Sequence, residues 1–194
     1  MVYEALLLDT IQLCAGIEGI HLAVAVTPPD AVGYFEKKTP SGTVLLPVDC
    51  PDIGHCLQQV IGQLLEVGYD KVIALNSDGP SLPAACIFQA VNYLDQHDLV
   101  LGPGEDGGYY LIGLKRLYTD LFRGIDWSTP QVLPQTVSKI KALGIDAAVL
   151  PYWYDIDTRD DLLRLKDELG RLPLEALPNT RRFFSGYKSL LLES

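Results

Sequence analysis

Apolar residues recur at helical spacing from Val2 to Ile17, with Leu6, Leu7, Leu8, Ile11, Leu13 and Cys14 on the repeat and Gly16 as a stop. The rhythm then changes. "HLAVAV" (21–26) is short and continuously apolar, the pattern of a strand buried on both faces, and "TPPD" ends it. "TVLLPV" (43–48) predicts a second strand. Helical spacing returns from Ile53 to Val67, closes at Gly68, and leads into an apolar run at 71–77. Pro83 opens a helix through Leu94, since proline suits a first helical position. "DLVLG" (98–102) and "YYLIGL" (109–114) predict two strands joined only by "PGEDGG", too short for a parallel crossover. Ser128 to Gln131 reads S-x-x-Q, a capping box for a helix to about Leu143 that Pro134 should bend. "AAVLPYW" (147–153) predicts the last strand, and Thr158 to Asp161 reads as the cap of a helix ending near Gly170.

Strands that alternate with helices predict the α/β class, here a three-layer α/β/α arrangement around a mainly parallel but mixed sheet. Residues 1–170 are expected to form one domain. Residues 171–194, broken by Pro173 and Pro178, are expected to pack on it as an extension. The 194 residues suit one domain with a substantial core.

Composition changes the picture in one respect. The net charge of −10 speaks against a sequence-independent nucleic-acid binder, which must neutralise phosphates with Lys and Arg. An acidic protein that handles phosphates needs a divalent cation to bridge carboxylate and phosphate. Cys14, Cys50, Cys56 and Cys86 form no CxxC pair, and no signal peptide is evident, so reduced thiols in a cytoplasmic protein are expected. Cys50, His55 and Cys56 lack the second ligand pair of a zinc site. No apolar run approaches the roughly 18 residues that cross a bilayer, so no membrane partner is expected.

Candidate chemistry lies where strands meet loops. In "KVIALNSDGPSLP" (71–83), Asp78 follows an apolar strand, at the end where open α/β sheets bind ligands, although it also suits a turn. "GPGEDGG" (102–108) matches G-x-G-x-x-G, but a strand follows it rather than a helix, so the dinucleotide fingerprint fails on context. The same segment reads as a hairpin turn, or as glycines that let a ligand approach while Asp106 points into the site. In "YDIDT" (154–158), an extended backbone sends Asp155 and Asp157 to one face, where they repel unless solvated, protonated or bound to a cation. Asp157 or Thr158 as a helix cap is the competing reading. Mg2+ or Mn2+ suits such carboxylates and keeps places for phosphates. "DWSTP" (126–130) offers Trp127 as core or stacking platform, and Ser128 or Thr129 as cap or ligand contact. His21, His55 and His97 show no nucleophile beside them and no G-x-S-x-G elbow exists, so hydrolase chemistry has little support.

The order of "NSDGPSLP", "GPGEDGGYYLIGL", "LFRGIDWSTPQVL" and "YDIDTRDDL" resembles the bacterial GT-A-type glycosyltransferase-like family. That family belongs to the nucleotide-diphospho-sugar transferase superfamily and is related to cofactor guanylyltransferases. The resemblance runs from the opening helix to about Leu169, with "DGGYYLIG" and "WSTP" its most specific parts. It implies a metal-dependent transfer of a sugar from a nucleotide sugar to an unidentified small acceptor, with Mg2+ or Mn2+ held by Asp78 and Asp157. Asp106 takes the catalytic position, and Gly107, Gly108, Trp127, Ser128 and Thr129 the substrate side. The alternatives are nucleotidyl transfer from a nucleoside triphosphate, or a non-catalytic homologue. Relatives open with a strand and a Lys-, Pro- and Gly-containing loop, whereas Met1 here stands just before the first family helix. An absent strand would leave backbone groups unpaired, so the sheet is expected to close up or another chain, such as a second copy in a homo-oligomer, to cover the gap.

Overall fold

The computed structural model describes residues 1–186. The elements follow in the order α1 (Val2–Ala15), β1 (Ala23–Val26), α2 (Val32–Phe35), β2 (Val44–Pro47), α3 (Ile53–Glu66), β3 (Val72–Leu75) and α4 (Ala84–Gln96). They continue through β4 (Leu99–Pro103), β5 (Tyr109–Leu114), α5 (Val132–Ala142), β6 (Ala147–Val149), α6 (Arg159–Leu169) and α7 (Pro178–Gly186). The strands form a four-stranded sheet in the order β3-β5-β4-β6 and a separate two-stranded sheet of β1 and β2. In the larger sheet β5 is antiparallel to both β3 and β4, while β4 and β6 are parallel. Three strands therefore run one way and β5 runs against them. That follows from the short 104–108 connection, which can only return the chain beside the strand it left.

Side-chain alternation distributes the core. Val100 and Leu111 point to one face, where they pack with Leu94 and Ile87 of α4 and Leu13 of α1. Leu99, Leu101, Ile112 and Leu114 point to the other, against Ile61 of α3 and Ile140 of α5. Helices thus cover both faces, giving a three-layer α/β/α fold. A third cluster joins Leu6 of α1, Ile156, Leu165 of α6 and Phe184 of α7. Within it Asp9, only 2% exposed, accepts hydrogen bonds from the Asn179 and Thr180 amides at 3.1 and 2.8 Å. It caps α7 from the middle of α1. In this way the segment after Gly170 lies against the body as far as Gly186, and residues 187–194 of the expected extension lie outside the described residues.

Three local expectations need correction. Helix α5 starts at Val132 without a side-chain cap, because Ser128 adopts a positive φ of 61° and Thr129 turns its hydroxyl to the Asp126 carbonyl. Pro134 consequently falls in the first turn, where its missing N–H costs nothing, rather than bending an established helix. Cys50 and Cys56 are joined in a disulfide instead of being reduced thiols, the turn into α3 having brought their Cα atoms to 5.4 Å. Of the two outcomes expected for the sheet, closing up is not the one seen: among the described residues β1 and β3 are not paired, and a slot separates them.

Candidate active site

The carboxyl-terminal rim of the large sheet gathers its acids by backbone pairing. Beyond β6 the chain stays extended, with Trp153 N–H donating to the Pro103 carbonyl at 3.1 Å and Ile156 N–H to the Asp78 carbonyl at 3.1 Å. This lays residues 153–157 between the end of β4 and the loop after β3. Ile156 is buried, so its neighbours Asp155 and Asp157 both turn to the opposite, open side.

Asp106 reaches them from the β4–β5 turn. Its Oδ1 accepts the Gly108 N–H at 2.9 Å, which holds the carboxylate folded over its own turn. Gly107, at φ 92°, supplies the reversal. The turn rests on the segment after Trp127, with Leu133 N–H donating to the Gly107 carbonyl at 2.8 Å. One ligand oxygen from each of Asp106, Asp155 and Asp157 lies within 4.8 Å of the others, a spacing that could hold a cation. Asp78 adjoins this group and is more buried, and its Oδ1 has no hydrogen-bond partner. Burial raises the Asp78 pKa above the ordinary range, and the Asp157 and Asp106 charges add to the rise. Asp155 is pushed up to about 6, first by burial and then by the charges of Asp106, Asp157 and Asp78. An orphaned buried carboxylate oxygen beside three mutually repelling carboxyls fits a divalent ion with oxygen ligands.

The electrostatics have a testable consequence. Asp155 keeps its proton to about pH 6 in the folded chain, but only to the ordinary 3.8 when unfolded. Between those values the folded state binds more protons, so rising pH favours unfolding. In the presence of a chelator, the wild-type urea midpoint should therefore fall relative to that of Asp155→Asn as pH rises from 4 to 6. A constant difference across that window would refute the raised pKa.

The candidate residues do not all face the acids. Asp78, Asp106 and Asp157 come from three separate loops to one rim, and Gly107 and Gly108 lie in the turn that carries Asp106. Trp127 instead packs on the core, edge-on to Tyr109 with ring centroids 6.3 Å apart and against the Cα of Gly54. Ser128 is exposed, and the Thr129 hydroxyl is engaged by the Asp126 carbonyl and the Gln131 amide within its own loop. The pairing of Asp155 with Asp157 was legible from strand alternation, but its membership with Asp106 was not. Nor was the clamp between Arg164 of α6 and Glu105. The guanidinium meets that carboxylate at 2.7 and 3.3 Å and stacks on the Tyr154 ring at 3.6 Å. It ties the turn bearing Asp106 to the helix that follows Asp157, and a separation of 59 residues leaves no local signal for it.

A family model described as "Uncharacterized protein conserved in bacteria (DUF2064)" matches residues 10–129. Among solved structures, a candidate nucleotide-diphospho-sugar transferase from Desulfovibrio desulfuricans is 26% identical, with a TM-score of 0.86. The match covers 96% of this chain and 83% of that one. A cytidylyltransferase from Leptospira borgpetersenii is 12% identical with a TM-score of 0.59, over 97% of this chain and 86% of its own. The Mycobacterium tuberculosis protein Rv0371C, in complex with manganese, is 15% identical with a TM-score of 0.53, over 84% and 85%. At 12% and 15% identity the latter two share the fold. No curated protein sequence matches the chain.

Proposed function

We propose, for a chain that belongs to the DUF2064 family, a metal-dependent transferase that moves a sugar from a nucleotide-sugar donor to a small acceptor. The observation that carries this reading is the convergence of Asp78, Asp106, Asp155 and Asp157 from three loops on one sheet rim. Four carboxyls with no cation among them destabilise one another, and a folded chain retains such an arrangement for a ligand of opposite charge. The likeness to a candidate nucleotide-diphospho-sugar transferase supports the substrate class. The manganese complex of a protein of the same fold is consistent with Mg2+ or Mn2+ as the ion.

Each acid then has a task. Asp155 and Asp157 would hold the ion from the extended segment, and Asp106 from the turn, whose glycines let a substrate approach the backbone. Asp78 would offer its unpartnered Oδ1 from the buried side of the group. A bound divalent cation would neutralise the charge that builds on the departing phosphate. The Glu105–Arg164 pair would keep the turn and the extended segment in register, so that the ligands need not reorganise when the ion enters.

Nucleotidyl transfer is the second reading, favoured by the cytidylyltransferase that shares the fold. A thermal-shift panel of nucleotide sugars and nucleoside triphosphates, each with and without Mn2+, tests both, because a ligand of the native state raises apparent stability. Release of a nucleoside diphosphate identifies sugar transfer, and release of pyrophosphate identifies nucleotidyl transfer. No shift with any metal–nucleotide pair would overturn both readings and leave a non-catalytic homologue.

A further inference from the structure

The acid cluster has a side turned away from the open rim, and one side chain stands behind it there. Tyr154 directly precedes Asp155 in the extended segment and points the other way, as strand alternation requires. Its ring lies in the hydrophobic cluster with Leu6, Ile156 and Leu165, and the residue is 2% exposed. Packing alone asks for no more than a phenylalanine at this position. A phenolic hydroxyl in such a place costs free energy unless it finds partners.

It finds two, on two different segments. The hydroxyl donates to Glu168 Oε2 of α6 at 2.6 Å and accepts from Ser81 Oγ at 3.3 Å. Ser81 belongs to the loop after β3 that carries Asp78. The Arg164 guanidinium covers the other part of Tyr154, its ring, and carries the connection on to Glu105, the residue before Asp106. Arg164 and Glu168 also pair with each other, Nε to Oε1 at 3.6 Å, one turn apart on α6. One side chain thus touches, directly or through Arg164, every segment that brings an acid to the rim. Main-chain bonds join the same segments at two places, from Ile156 N–H to the Asp78 carbonyl and from Glu105 N–H to the Trp153 carbonyl. Carboxyls that repel one another push these joints apart. The contacts of Tyr154 oppose that push from behind.

We propose that Tyr154 is a positioning residue for the acid cluster. Its hydroxyl, held between Ser81 and Glu168, and its ring beneath Arg164 fix the segments of Asp78, Asp106, Asp155 and Asp157 at the spacing a divalent cation needs. For its ion the inference rests on the metal site of the transferase reading; for the fixing of the segments it rests on geometry alone. A phenylalanine would fill the same space and leave the segments free to spread.

The test uses the full chain and two readings. Free Mn2+ is counted by electron paramagnetic resonance to give the affinity, and amide hydrogen exchange is followed in the metal-free protein at Glu105 and Ile156. Tyr154→Phe keeps the ring and removes the hydroxyl. It should weaken Mn2+ binding about 10-fold or more, the range for losing a residue that supports metal ligands. Exchange at both amides should quicken by at least about tenfold, because the local opening is no longer opposed. Phe184→Leu, a truncation in the same hydrophobic cluster, should lower the melting temperature and leave both readings as in wild type. Adding Ser81→Ala to Tyr154→Phe should weaken binding no more than about twofold further, since a partner of the lost hydroxyl has nothing left to couple to. A larger further loss would overturn the link to the Asp78 loop. Unchanged exchange in Tyr154→Phe, or unchanged affinity where wild type binds, would overturn the proposal. So would equal losses in Phe184→Leu, which mark a purely structural part. A wild type that binds no Mn2+ would sink the metal site, and exchange at the two amides would then decide the positioning by itself. Should Tyr154→Phe not fold, Glu168→Ala removes the acceptor of the same hydroxyl at a partly exposed position and is read at the same amides.

Discussion

Asp155→Asn is expected to stabilise the metal-free protein and to abolish its stabilisation by Mn2+. The two effects have opposite signs and one cause. At pH 8 the Asp155 carboxyl is ionised, half-buried, and faces Asp106, Asp157 and Asp78. An amide keeps the shape and removes the repulsion. With solvent screening allowed for, the gain is about 1 kcal/mol, which raises the melting temperature by about 2–4 °C for a domain of this size. The same exchange removes one of three grouped ligand oxygens. Mn2+ affinity should fall by more than the roughly 10–100-fold typical of losing a supporting residue outside the ligand set. Wild type with Mn2+ at 100 times its dissociation constant gains about 2.7 kcal/mol, and the variant at the same concentration should gain little of it. Calorimetric melting with chelator and with Mn2+ reads both effects. A variant that melts lower without metal, or that keeps the full Mn2+ shift, would remove the cation from this rim.

Gly107→Ala should destabilise the chain by about 2–5 kcal/mol, although it adds a single methyl group. Its φ of 92° is one that side chains with a Cβ rarely adopt, a cost of about 1–2 kcal/mol. The added Cβ would also meet the Pro130 carbonyl oxygen, Cα and carbonyl carbon at 2.6, 2.8 and 3.0 Å. These are backbone atoms that cannot rotate aside, so the crowding adds about 1–3 kcal/mol. Relief requires the turn to lift from the 130–133 segment, which would break the bond from Leu133 N–H and carry Asp106 away from Asp155. The variant should therefore lose Mn2+ affinity as well as stability, while Gly124→Ala should lose neither Asp106 nor the ion. Gly124 shares a positive φ of 60°, but nothing lies within 4 Å of its Cβ position. A Gly107→Ala protein with an unchanged urea midpoint would show that the turn is not clamped against Pro130.

Much of the fold was legible because it depends on short-range chemistry. Strand β5 falls on the expected 109–114 run, since "YYLIGL" carries aromatic and β-branched residues and follows the turn at Gly107 and Gly108. The box of Thr158 and Asp161 forms as read, each side chain meeting the other's backbone amide. The box expected at Ser128 does not form, although its spacing is as good. There the turn must fit beneath Gly107 and against Gly54, and this tertiary packing overrides a cap worth about 1 kcal/mol. The Cys50–Cys56 disulfide was likewise hidden, because six positions in sequence do not reveal that the entry to α3 folds back on itself.

The sequence alone determined the place of most strands and helices and that Asp78, Asp106 and Asp157 stand in the loops between them. These are set by side-chain periodicity and by turn chemistry within a few residues. Only the tertiary structure decided that Asp106 joins Asp155 and Asp157, that Arg164 reaches Glu105, and that β1 and β3 stand apart around an apolar slot. Such outcomes depend on the register and order of strands far apart in the chain, which backbone pairing across the sheet fixes and local pattern does not encode.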